Sequence, residues 1–99
     1  MASQFLDVRN PADNKVLANV PSGSAEDVKA AVVAAHEAFK SWRNTPATQR
    51  IQYLFRMKQI MEAHSDEISA ICTSECGKTF QESKAEVVRA IENIEVACG

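Results

Sequence analysis

The sequence predicts a mainly α chain: about four amphipathic helices behind a short N-terminal β-hairpin. Three observations carry this. Two strand-like runs flank an Asn-Pro turn near the start. From residue 28 onward, apolar residues recur at steps of three and four, the period of a helix with one buried stripe. Hydroxyl residues, a glycine and a proline then punctuate that pattern at helix-length intervals.

Residues 5–9 (FLDVR) and 16–20 (VLANV) are the two strand-like runs, and Asn10-Pro11-Ala12-Asp13-Asn14 lies between them. Proline sets its own φ, and Asn and Asp tolerate turn conformations, so the segment over 5–20 reads as a hairpin. Pro21-Ser22-Gly23 is expected to end the extended chain.

Ser24 is placed to cap a first helix over about 25–41, with Glu26 and Asp27 at the positive end of its dipole. Val28, Ala31, Val32, Ala35, Ala38, Phe39 and Trp42 form its stripe. Thr45-Pro46 restarts the chain, as a capping hydroxyl before a proline at the first helical position. A second helix is expected over 46–64, with Ile51, Leu54, Phe55 and Met61 inward and Met57 and Ile60 widening the face. Ser65 is read as the cap of a third helix over 66–76, with Ile68, Ile71, Cys72 and Cys76 inward. Gly77 is a natural stop. Thr79 and Glu82 have the capping-box spacing for a fourth helix over 80–98. Its inner side is read as Val87, Val88, Ile91, Ile94 and Cys98, with Lys84 along the edge and its amine in water.

Composition narrows the function classes. Ninety-nine residues, 45% of them apolar, make one small domain with a modest core. Net charge is −2 with both signs mixed along the chain, so no basic stripe offers a nucleic-acid surface. The longest apolar run, residues 30–35, is far too short to span a bilayer. The start, Met-Ala-Ser-Gln, lacks a basic region leading into an apolar stretch. The expected location is therefore the cytoplasm, or the mitochondrial matrix if a presequence has been removed. Three cysteines in such a chain are read as reduced thiols.

The stretch ICTSECGKTF, residues 71–80, invites chemical readings. A phosphate loop needs Gly-x4-Gly-Lys-Ser/Thr after a strand. Gly77-Lys78-Thr79 is present, but Cys72 stands where the first glycine belongs, and the preceding segment has helical period. Cys72 and Cys76 are four apart, one helical turn, rather than in the Cys-x-x-Cys spacing of a redox pair. Two thiols alone do not complete a tetrahedral zinc site. The favoured reading is a packed face of two small side chains, with metal or redox chemistry as the other. His36 and His64 fall on different expected helices, with no nucleophile and base side by side. Glu62, Asp66 and Glu67 read as a solvated surface.

Three segments remain specific once the helices are placed: NPADNKVLANVPSGSAEDVKAAVVAAHEAFKSW, then Arg50 with Leu54, then ECGKTFQESKAEVVRAIENIEVACG. In this order and spacing they resemble the N-terminal part of aldehyde dehydrogenases, over about residues 5–99. The ECGKT turn and RAIENIEVACG are most similar to the methylmalonate-semialdehyde branch, which acylates coenzyme A. The resemblance implies that residues 1–99 are a fragment of the α/β NAD(P)-binding domain of such an enzyme. It implies an oxidoreductase in the full-length parent, using NAD or NADP and coenzyme A. That parent's catalytic cysteine, general-base glutamate and nucleotide-binding turn lie beyond the matched segment. No catalytic, cofactor-binding or metal role therefore passes to any residue here, no cofactor is expected on this chain, and the chain alone is expected to be inactive. The implied partners are a second copy or the remainder of the dehydrogenase fold. The other reading is a stand-alone helical module that self-associates.

Overall fold

The computed structural model describes residues 4–99. Strands β1 (Gln4–Arg9) and β2 (Val16–Ser22) pair antiparallel, with Leu6 opposite Val20 and Val8 opposite Ala18. The register slips between Val8 and Arg9, which pairs with Val16. The turn side chains build the loop. Asn10 Oδ1 accepts the Ala12 amide at 2.8 Å, and Asp13 Oδ1 accepts the Lys15 amide at 3.0 Å. Asn14 takes φ 60°, the left-handed region that Asn tolerates. Pro21 and Ser22 were expected to break the strand, yet β2 continues through both, with Pro21 opposite Phe5. A proline is accepted there because each strand of a two-stranded ribbon is an edge.

Four helices follow: α1 (Ala25–Trp42), α2 (Ala47–Ala63), α3 (Ser65–Cys76) and α4 (Phe80–Cys98). Capping boxes open α1 and α4: Ser24 Oγ accepts the Asp27 amide at 3.1 Å, and Thr79 Oγ1 accepts the Glu82 amide at 3.2 Å. Each carboxylate returns to the cap's own amide, Asp27 to Ser24 at 2.9 Å and Glu82 to Thr79 at 3.0 Å. Gly77 closes α3 at φ 75°, as glycine permits.

Two expected caps are not used. Pro46 is itself the N-cap of α2, with ψ 146° and no side-chain bond, so Thr45 does not cap. The helix–helix step at 64–65 is so tight that His64 serves as C-cap of α2 and N-cap of α3. Ser65 is therefore already helical, and its carbonyl accepts the buried Ser69 hydroxyl at 2.7 Å.

α4 lies against both α3 and α2. Its buried edge is Ser83, Val87 and Ile91, spaced by one helical turn. Facing it, Ser69 is fully buried, and Thr73 Oγ1 meets Ser83 Oγ at 2.9 Å. Small hydroxyl side chains let the α3 and α4 backbones approach, and no buried side-chain nitrogen or oxygen is left without a partner among the described residues. Lys58 ties α2 to α4, reaching Glu62 at 3.2 Å and Glu95 at 3.1 Å. Lys84 pairs with Asp66 and so ties α4 to α3.

This seam corrects three inner-face expectations. Ile71 is 50% exposed, Cys76 is exposed, and Val88 points outward, because α3 meets α4 along the Ser69–Thr73 line, one position round the helix. The α1 stripe lies uncovered: Val28, Val32 and Phe39 are all more than half exposed. α1 touches α2 at its end, where the Trp42 and Tyr53 rings meet edge to face at 5.7 Å. The result is a slab of 49 × 36 × 16 Å.

Candidate functional site

The α3–α4 turn gathers the most chemistry. Cys76 ends α3 and Cys72 stands one turn before it, Gly77 caps the helix, and Glu86 comes from the second turn of α4. Cys72 Sγ lies 3.7 Å from Glu86 Oε2, and Lys78 pairs with the other oxygen of the same carboxylate. Cys72 is half-buried, Cys76 exposed, and both are free thiols. The hydrogen bond with Cys72, and then the charge of that thiol, pushes Cys76 above the ordinary thiol range. Lys78 holds Glu86 below the usual carboxylate range, and Glu86 raises Lys78 in return. These groups are exposed, so water screens the pair.

The packed-face reading of the two thiols is thus half right. Cys72 approaches the α3–α4 seam, reaching Glu86 from α4, whereas Cys76 stays exposed. The Lys78–Glu86–Cys72 cluster was not visible in the sequence. Its members are eight and fourteen residues apart, and only the crossing of α3 and α4 brings them together.

A phosphate cradle at Gly77-Lys78-Thr79 does not fit the geometry. The Glu82 carboxylate already takes the Thr79 amide and hydroxyl, both at 3.0 Å. The positive end of α4 is thereby filled by the chain's own anion. Asp27 does the same for α1, and its bonds to the Ser24 backbone and side chain hold its carboxyl low.

The remaining residues singled out in the sequence lie apart. His36 is exposed on α1, and His64 at the α2–α3 joint meets Glu67 Oε2 at 2.9 Å. Cys98 lines an open cleft of about 440 Å3 with Trp42, Arg50, Tyr53 and Leu54. A shallower groove of about 570 Å3 runs along α4 past Phe80, Lys84, Val88 and Arg89. Arg89 is bonded to Glu92 at 3.0 Å. Among the described residues, no three His, Cys, Asp or Glu side chains come together as a metal set. No helix there is long and apolar enough to cross a membrane.

The described residues form a thin helical layer with a hairpin arm, and its apolar faces point outward. The comparison with known proteins is specific: residues 1–99 match the aldehyde dehydrogenase family, and the chain belongs to it. Malonate-semialdehyde dehydrogenase of Lacticaseibacillus casei is 46% identical over 95 residues, which are 96% of this chain and 19% of that protein. The acylating, mitochondrial methylmalonate-semialdehyde dehydrogenase of Arabidopsis thaliana is 40% identical over 98 residues, 99% of this chain and 16% of that protein. Among solved structures, lactaldehyde dehydrogenase from Escherichia coli superposes with a TM-score of 0.91 at 32% identity, covering 98% of this chain and 20% of that one. An NAD-dependent benzaldehyde dehydrogenase from Corynebacterium glutamicum superposes at 0.90 with 29% identity, over 98% of this chain and 21% of that one. The chain therefore spans about one-fifth of the length of the relatives it matches.

Proposed function

We propose that these residues form the N-terminal scaffold of the cofactor-binding domain of an NAD(P)-dependent semialdehyde dehydrogenase. The parent substrate is a malonate- or methylmalonate-type semialdehyde, with the acyl group passed to coenzyme A. The observation that carries this is the superposition of the whole described slab on one-fifth of a dehydrogenase, together with apolar faces that point out of the slab. Val28, Val32 and Phe39 on α1, with Phe5 and Leu6 on the hairpin, are the surface on which the rest of such a fold would rest. At about 25 cal/mol per Å2, covering them adds several kcal/mol. The chain itself supplies support: its caps and ion pairs set the helices, and its thiols are not assigned to the reaction. The parent works in the cytoplasm or the mitochondrial matrix.

A chimera tests the reading. The matching segment of the L. casei relative is replaced by residues 1–99, and NAD-dependent oxidation of malonate semialdehyde is assayed. Retained turnover is expected. A folded chimera that binds NAD but has lost all turnover would contradict a scaffolding role. The 99 residues alone are expected to give no turnover above blank.

The same exposed stripe favours a second reading, a self-associating helical module. Sedimentation separates the two. A tight dimer with a sharp thermal transition supports the module, and a weakly cooperative monomer supports the scaffold.

A further inference from the structure

We propose that Cys72 and Cys76 form a two-sulfur clamp for a trivalent organoarsenical, a three-coordinate thiophile that both thiols bind at one atom. The two residues stand one turn apart on α3, on the same side of the helix. Side chains so spaced have Cβ atoms roughly 5–6 Å apart. A direct disulfide needs about 3.8 Å between Cβ atoms, so the helix opposes it. A bridging atom adds a bond on each side and spans the gap without unwinding the turn.

Three further features fit this ligand. Cys76 is exposed and Cys72 half-buried, so one thiol captures the arsenical from water and the other closes the ring against the protein. Cys72, by its hydrogen bond and then its charge, holds the Cys76 thiol above the ordinary thiol range, which favours the protonated form of Cys76. That disfavours ions that require thiolates, such as zinc, and the described residues offer no third ligand. It does not oppose an arsenical, which takes the thiol with its proton.

The step balances. An aryl arsenical in water is R–As(OH)2. Two As–O bonds break, two As–S bonds form, and the two thiol protons leave in two waters. Arsenic stays trivalent, so no oxidant or reductant is consumed. Gly77 follows Cys76 directly and ends the helix there, so the ring closes at a helix end rather than inside a packed core.

The test uses the 99-residue chain and phenylarsine oxide, with intact-mass spectrometry and a count of free thiols. One arsenic per chain and the loss of two of the three thiols are expected. The adduct should survive millimolar glutathione and be released by dithiothreitol. Cys72→Ser and Cys76→Ser should each abolish the glutathione-resistant adduct, and Cys98→Ser should leave it intact. A relocated pair, Cys76→Ser with Ser74→Cys, keeps two nearby thiols but places them two apart, where they do not face each other. It should bind at least tenfold more weakly, with circular dichroism confirming that the helices persist. Equal binding by the relocated pair, an adduct that depends on Cys98, or no resistant adduct on a folded chain whose thiols alkylate freely would each overturn the clamp.

Discussion

Pro11 packs onto Gly77: a Cβ added at Gly77 would stand 2.8 Å from Pro11 Cγ, closer than real carbon atoms tolerate. The hairpin loop and the α3–α4 turn, more than sixty residues apart in the sequence, meet at a point where one of them must lack a side chain. Gly77 also holds φ 75°, so it meets two demands at once.

Gly77→Ala should therefore cost more than its backbone strain of about 1–2 kcal/mol. Chemical denaturation of the single and double variants measures the excess. Pro11→Ala, which removes Cγ, should recover part of the loss in the Gly77→Ala background. Strict additivity of the two would show that the contact carries no energy.

Thr79→Ala should destabilise the chain by about 1 kcal/mol, since it removes the acceptor for the Glu82 amide and half of a reciprocal cap. Ser24→Ala removes the matching acceptor on α1, which has no broad seam with other elements. Amide exchange should then quicken in the first turn of α1 and leave α4 unchanged.

Acid should loosen both helix starts. Bonds from the Ser24 and Thr79 caps lower the Asp27 and Glu82 carboxyls in the folded chain. A lowered folded pKa means the stabilisation is complete above the unfolded value, near 4 for these groups, and is lost as pH falls through the folded one. Helicity followed by circular dichroism should decline below about pH 4. In Asp27→Asn with Glu82→Gln that acid-dependent part should shrink.

A core and a surface aliphatic side chain should separate cleanly. Ile91→Ala, at a position 9% exposed, should cost about 2–5 kcal/mol. Val32→Ala, at 61% exposed, should change the stability of these 99 residues by less than about 0.5 kcal/mol. In the dehydrogenase chimera the same Val32→Ala should become costly. If it stays neutral there, the α1 stripe does not rest on the remainder of the fold.

Much of the fold was legible before any coordinates. Ser24, Thr79, Glu82 and Gly77 act within three or four residues of themselves, and their geometry follows from backbone groups that a helix end leaves without partners. Thr45 and Ser65 were misread for the same local reason. Either could have capped, but Pro46 and the tight joint at His64 took the cap positions instead. The inner faces were less legible. Hydrophobicity pointed to Ile71 and Val88, whereas the seam runs over Ser69, Thr73 and Ser83, where small size lets two helices approach closely.

The sequence by itself determined the number and order of the helices, the caps that open α1 and α4, the stop at Gly77, the hairpin turn, and the order of segments that marks an aldehyde dehydrogenase. Those depend on contacts between near neighbours and on side-chain type. Only the tertiary structure decided which side of α3 meets α4, that Lys78 and Cys72 share Glu86, and that Pro11 rests on Gly77. Each of these depends on how separate elements cross, and periodicity within one helix carries no information about that.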